Sequence, residues 1–208
     1  MIENHITASC RIFNNSIRKN GQLLFAKEGE DVITFLVSVY KEFANGYARF
    51  YKMDNLSKLG WLASEILLKD DFDVKKYNAE EVGIVLANAN SSLDTDMKYS
   101  ATIADIPSPS VFVYTLPNIV TGEICIRNHF KGENAFFISE DFDAGFIQQY
   151  VNNLLNHGVL NACICGWVEL LGDKYKAVLF LVEKQQSKNS LLFNEANMNQ
   201  IFNAGEIV

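Results

Sequence analysis

Apolar residues recur along this chain in two rhythms, and the clearer one is helical. Phe146, Ile147, Tyr150, Val151, Leu154 and Leu155 return at i, i+3, i+4 spacing, the mark of one buried helical face. Gln148, Gln149, Asn152, Asn153 and Asn156 fill the other side with uncharged amides. Burying them without partners costs about 1–3 kcal/mol apiece, so that side is expected to meet solvent or a polar protein interface. His157 and Gly158 close the last turn. The helix begins at an acidic corner, Ser139-Glu140-Asp141-Phe142-Asp143, where Asp141 or Asp143 supplies the N-cap. Ahead of it, Ala135 to Ile138 is an apolar, aromatic run of strand length. Strand, sharp turn and helix is the geometry by which α/β enzymes present a nucleophile. This turn instead carries acids and a phenylalanine, and no Ser or Cys follows Ser139 in it.

The same reading extends to the rest of the chain. Ile6 to Phe13 predicts a first strand, and Asn14 to Gly21 a turn. Asp31 to Phe43 is apolar and β-branched, and pattern alone leaves helix or strand open there. Asn45-Gly46 marks a break. A helix is expected over Lys58 to Lys69, with Leu59, Leu62, Ala63, Ile66 and Leu67 on one stripe and Ser57 as N-cap. Val82 to Ala87 reads as a strand buried on both faces, followed by a polar turn, Asn88 to Thr95, where another helix can start. Pro107 and Pro109 interrupt the chain, and helix is expected around Gly122. Leu160 to Trp167 and Tyr175 to Val182, joined by Leu171-Gly172-Asp173-Lys174, predict an antiparallel hairpin. Glu183 to Ser190 reads as a polar linker, and Leu191 to Phe202 as a weak helix with Met198, Ile201 and Phe202 on its sticky side. The order β-α-β-α-β-α-β-β predicts an α/β fold, three layers αβα around a five-stranded, mostly parallel sheet with an antiparallel edge.

Composition narrows the function. A length of 208 residues, with 49% hydrophobic and 21% charged content, fits one folded domain. The net charge of −7 argues against a nucleic-acid partner. No apolar run reaches membrane-spanning length and the N-terminus does not read as a signal peptide, so a cytoplasmic location is expected. Cys10, Cys125, Cys163 and Cys165 lack metal-ligand spacing, and the three histidines are scattered. Cys163 and Cys165 share one strand face with parallel Cβ vectors, poor geometry for a disulfide; buried, reduced thiols are expected. No metal or cofactor is implied.

A family resemblance builds on these motifs. The block PSPSVFVYTLPNIVTGEICIRNHFKGENAFFIS, from Pro107 to Ser139, contains Pro117-Asn118, then Gly122 four residues after the asparagine, then Lys131-Gly132-Glu133-Asn134 leading into a strand. Upstream, Ala48 to Ser64 and Val82 to Asp96 match in kind; downstream, Leu160 to Glu169 does, with Trp167 where a small residue is common. Gly145 stands late in the corner. The chain resembles the N-terminal half of a β-ketoacyl-(acyl carrier protein) synthase, half of a thiolase-like fold. More narrowly it is similar to short ketosynthase-like proteins encoded with aryl-polyene and flexirubin-type pigment genes in bacteria. The resemblance implies a ketosynthase N-terminal-half-like domain over residues 1–183, with a linker and weak helix over 184–208. It also implies that the strand Ala135, Phe136, Phe137, Ile138, Ser139 is an edge that pairs antiparallel across a two-fold axis.

What the resemblance does not carry over is the chemistry. The place of the family's nucleophilic cysteine falls at Asp141 or Phe142, neither a thiolate, and the family's histidines come from a second half that 208 residues do not supply. The expected role is a non-catalytic ketosynthase-like accessory subunit in fatty-acid-like or aryl-polyene synthesis. Its partner is expected to be a ketosynthase subunit or a second copy, with acyl carrier protein as a further partner. The alternative is an enzyme with hydrolase-like acyl-thioester chemistry at Asp141–Asp143. Helix capping is the simpler reading of those acids, core packing of Phe142, and backbone shaping of Asn118 and Gly122. Ser139 lacks a base placed by sequence.

Overall fold

The computed structural model describes residues 3–44, 46–186 and 189–205. The Asn45-Gly46 break includes Asn45, which lies outside the described residues. A central mixed sheet is covered on both faces by helices. Its strands are β1 (His5–Phe13), β2 (Ser16–Lys19), β3 (Gln22–Ala26), β4 (Val82–Asn88), β5 (Asn134–Ile138), β6 (Ala162–Leu171), β7 (Lys174–Glu183) and β8 (Leu191–Leu192). They lie in the order β3-β2-β1-β7-β6-β4-β5, with β8 paired to β1. The αβα layering follows the sequence reading, but among the described residues the sheet has eight strands rather than five. It is not mostly parallel: β4 runs parallel to β5 and β6, and every other ladder is antiparallel.

Two tight turns explain most of that discrepancy. Asn14-Asn15 and Asn20-Gly21 each place both turn residues at positive φ (45°, 50° and 50°, 79°), the conformation of two-residue hairpin turns whose twist suits flanking strands. The span 14–21 is therefore turn, strand, turn, with β2 in its middle, and not one turn. Asn20 also folds back on β1, its Oδ1 accepting from the Ser9 N–H at 2.8 Å.

The helices are α1 (Val32–Phe43), α2 (Asn55–Leu68), α3 (Leu93–Ile103), α4 (Pro109–Phe112), α5 (Ile119–Asn128), α6 (Ala144–Asn156) and α7 (Glu195–Asn203). The ambiguous stretch after Asp31 is thus helical, because Asp31 caps it, accepting from the N–H groups of Ile33 and Thr34 at 3.0 Å. In α2 the cap is Asp54, which accepts from the Ser57 N–H at 2.9 Å. Ser57 itself sits in the first turn and donates the N–H that the cap accepts, so the expected Ser57 cap is three residues late. Twelve of the fourteen α2 residues are buried, which makes α2 the central helix of its layer. With α1 and α5 it covers one face of the sheet around Phe35, Trp61 and Leu62. The other face is covered by α6 and α7.

Two close contacts fix this frame. At Gly166, in β6, φ is +142° and an added Cβ would run into the Val178 carbonyl of β7. Only a residue without Cβ permits that approach. On the opposite layer, buried Glu123 of α5 accepts from Arg49 Nε at 2.7 Å and Nη2 at 3.0 Å. Tyr114 Oη donates to the same carboxylate at 3.0 Å. The carboxylate's charge and its desolvated site hold the Tyr114 phenol well above its ordinary pKa, burial being the larger cause.

Candidate functional site

The corner between β5 and α6 is the candidate site. Asp143 caps α6, its Oδ1 accepting from the Phe146 N–H at 2.8 Å, which resolves the choice between Asp141 and Asp143. The Ser139 N–H bonds the Asn88 carbonyl at 3.0 Å, and Ser139 Oγ donates to the Asp141 carbonyl at 2.9 Å. These bonds turn the chain sharply and leave the Asp141 and Asp143 carboxylates exposed.

Phe142 points the other way, into the molecule. Its ring stacks on Phe202 of α7 (centroids 4.3 Å, planes 15° apart) and lies 6.2 Å from Phe180 and 6.3 Å from Trp167. Lys176 Nζ sits 3.4 Å above the far face of the same stack, over the Phe202 ring. α7 is held down by fully buried Met198, by its Asn194 cap and by the Glu195 N–H, which donates to Gln148 Oε1 of α6 at 2.9 Å. Beside Phe202 opens a cleft of about 620 Å³, whose walls include Asp141, Trp167, Glu169, Tyr175 and Asn199. Glu169 is held in that wall by its Oε2, which accepts from the N–H groups of Ala89 and Asn90 at 2.7 and 3.1 Å. No histidine, cysteine or serine lies among the described residues that line this cleft.

The thiols are elsewhere. Cys10, Cys163 and Cys165 are fully buried, as expected of free cysteines, which behave as small hydrophobes. Burial pushes Cys10 up to about 12 and raises Cys163 and Cys165 as well, since an apolar surrounding penalises thiolate. Cys125, half-buried on α5, is raised for the same reason. Among the described residues no group of His, Cys, Asp and Glu is arranged to hold a metal ion. No helix among them is long and apolar enough to cross a membrane.

The other motif residues do not converge on the corner. Pro117 and Asn118 form the turn into α5, and Gly122 lies inside that helix. The Lys131 N–H bonds the Ala79 carbonyl at 2.8 Å, and the Gly132 N–H the Val82 carbonyl at 3.2 Å. A Cβ at Gly132 would lie 2.5 Å from the Val82 oxygen, so glycine lets the chain pass there. Asn134 then opens β5 in register with Ile84. Gly145 alone belongs to the corner, its Cβ position 3.4 Å from Asp143 Oδ1 and 3.5 Å from Glu195 Oε2. Sequence reasoning did not place Phe202 there; its signal was the i, i+3, i+4 triplet Met198, Ile201, Phe202, which states that a face is buried but not against what.

β5 is the last strand of the sheet, paired on one side to β4. Phe136 packs toward the α2 layer and Phe137 toward α6. Phe137 meets Phe146 and Tyr150 edge-on at 4.8 and 5.0 Å. Ile138 and Phe146 remain 52% and 39% exposed, so the aromatic face of α6 extends past what its own sheet covers. The α6 amides are less solvated than expected: Asn152 and Asn156 accept from Asn4 Nδ2 at 2.7 and 3.2 Å, and Gln148 is occupied by α7.

No known family model matches the chain, and no curated protein resembles it in sequence. Solved structures do. The ishigamide ketosynthase/chain length factor superposes with a TM-score of 0.65 at 16% identity, over 87% of this chain and 62% of that one. The fold is ketosynthase-like. A type II ketosynthase solved with its acyl carrier protein, AntDE:AntF, gives 0.62 at 17% identity over 89% and 64%. The ketosynthase ApeO in complex with its chain length factor ApeC, from Xenorhabdus doucetiae, gives 0.56 at 13% over 90% and 81%. This chain thus spans less than two thirds of the first two of these ketosynthase-fold chains.

Proposed function

We propose that this ketosynthase-fold chain is a non-catalytic accessory subunit that pairs with a ketosynthase subunit and supports acyl-chain assembly on acyl carrier protein. The observation that carries the reading is Phe142. The resemblance puts a nucleophilic thiol at Asp141 or Phe142, and there the chain has an exposed carboxylate and a half-buried ring stacked on Phe202. Acyl transfer needs an accessible thiolate, and the three fully buried thiols have raised pKa values. The partner is read from β5. An uncharged edge strand with a half-exposed isoleucine is a poor free edge, and the ketosynthase-fold proteins that align with this chain include a ketosynthase solved with its chain length factor. The hydrolytic alternative is weaker, because Asp143 is engaged as a cap and the cleft wall offers Asp141 no histidine relay.

The test is co-expression with a ketosynthase subunit encoded beside this chain. Co-purification is expected, and it is expected to be lost on Ile138→Lys, which places a charge on the β5 edge. Incubation of the complex with acyl-loaded carrier protein should acylate the partner and leave this chain unmodified by mass spectrometry. Acyl transfer to any cysteine of this chain would overturn the reading.

A further inference from the structure

The cleft beside Phe202 holds more negative charge than its own walls neutralise. Asp141, Glu169 and Asp173 all line it, and none of the three forms an ion pair with a described residue. Two lysines share the walls, and one of them, Lys176, lies over the Phe202 ring. Glu169 is the most constrained of the acids. Its Oε2 is held by two backbone N–H groups, while its Oε1 is buried with no hydrogen-bond partner among the described residues. A carboxylate oxygen left in that state is costly, and this one belongs to the wall of a cavity. The acids do not converge on a point, since among the described residues no group of His, Cys, Asp and Glu is arranged for a metal ion. The missing counter-charge is therefore a larger body than a metal.

The rings of the same cleft supply an independent observation. Trp167 stands at 77° to Phe142 and at 90° to Phe202, with centroids 6.3 and 6.4 Å apart. Aromatic rings set at right angles are the surroundings that favour an ammonium group, through the negative faces of their π-systems. The chain itself uses that preference here: Lys176 Nζ lies 3.4 Å from the Phe202 centroid and 5.6 Å from that of Phe13. At about 620 Å³ the cleft has the size of a small-molecule site.

We propose that this cleft binds an organic cation, an ammonium group on an apolar body, with its charge among Asp141, Glu169 and Asp173 and its body against Trp167 and Phe202. Aromatic walls alone suit any flat apolar molecule. The charge makes the choice: three unpaired carboxylates against two lysines repel an anion and attract a cation, and the net charge of −7 on the whole chain acts in the same direction. Asp141 serves here as a counter-charge and not as an acid or base. The inference does not rest on the accessory-subunit reading, since it concerns a ligand of this chain alone.

Calorimetric titration of the full chain with three probes of one shape tests it: 2-phenylethylamine, 2-phenylethanol and phenylacetate. Saturable binding of the amine is expected, at least about tenfold tighter than the alcohol, with phenylacetate the weakest of the three. Asp141 and Asp173 are exposed, so Asp141→Asn and Asp173→Asn leave the fold intact and should each weaken the amine about two- to fivefold. Glu169→Gln, which keeps an oxygen for the two N–H groups, should weaken it as well. Lys176→Met supplies a readout of opposite sign, because it removes a competing ammonium and should tighten binding. Added salt should weaken the amine and leave the alcohol unchanged. Tryptophan fluorescence should respond to the amine through Trp167 and lose that response in Trp167→Phe, since Trp61 is fully buried elsewhere. Absence of saturable amine binding up to about 10 mM would overturn the proposal. So would an alcohol or carboxylate that binds as tightly as the amine, or an affinity indifferent to all three acid substitutions.

Discussion

Phe142 and Phe202 stack with their centroids 4.3 Å apart and their planes 15° from parallel, joining the β5–α6 corner to the last helix. Both rings are half-buried, so each truncation to alanine should cost less than the 3–5 kcal/mol of a core phenylalanine, about 1–3 kcal/mol. Because the rings touch, the two losses should not add. A double-mutant cycle by urea unfolding should return a coupling of about 0.5–1.5 kcal/mol. Additive losses would mean that α7 does not cover the corner in solution.

The Arg49–Glu123 pair makes a second prediction. Glu123 is 2% exposed, whereas the Arg49 side chain is 48% exposed. Losing the arginine strands a buried carboxylate with only Tyr114 as donor. Arg49→Met should therefore cost about 2–3 kcal/mol, below the roughly 3–5 kcal/mol for a fully enclosed pair. The double variant Arg49→Met, Glu123→Gln should recover part of that loss in chemical denaturation, because it removes the stranded charge.

Gly166→Ala should be the most damaging single methyl in the molecule. The added carbon meets the Val178 carbonyl, which belongs to the β6–β7 ladder and cannot move aside, at a φ of +142°. A cost above about 4 kcal/mol is expected, visible as loss of the cooperative thermal transition. Gly172→Ala in the hairpin turn, at φ +59° with open space around it, should cost only about 1 kcal/mol.

Alkaline pH should destabilise the fold. Burial raises the thiol of Cys10 to about 12 and holds those of Cys163 and Cys165 well above the ordinary thiol range. In the unfolded chain a thiol titrates near about 8.5. A folded pKa above the unfolded one means the stabilisation is complete below the unfolded value and is lost as pH rises towards the folded one. Stability should be level up to about pH 8 and then fall, each thiol contributing up to about 1.4 kcal/mol per pH unit. Urea unfolding from neutral pH upward measures this, and Cys10→Ala should make the slope shallower. A level profile into strongly alkaline solution would contradict the buried thiols.

The sequence made the corner legible because capping is local. Asp143 and the apolar stripe of α6 lie within a few residues of one another, and the structure returns both. The β6–β7 hairpin was legible for the same reason, its turn pairing Leu171 with Lys174. What failed was either a turn conformation or a distant contact. Asn14-Asn15 and Asn20-Gly21 read as loop because asparagine in a loop and asparagine in a tight hairpin look alike in sequence; only the short polar SIRK between them would betray a strand. Phe146 was read as buried from its spacing, yet it is the residue of that stripe left open at the sheet's edge. Periodicity names a face and cannot say how far the opposing layer extends. Phe202 reaches Phe142 across the whole C-terminal third of the chain, a distance no periodicity spans.

Strand β1 lies inside the sheet, bonded along most of one side to β7, from His5 with Glu183 to Phe13 with Lys176. Its remaining partners divide between the neighbouring β2 and the late β8. Among the described strands β1 therefore has only a local hairpin to occupy it until the far later β7 and β8 have been made. Pairing between such distant segments is slow relative to local structure. During synthesis the β1–β2–β3 meander should form early and wait, and the interior of the sheet should close among the final events of folding.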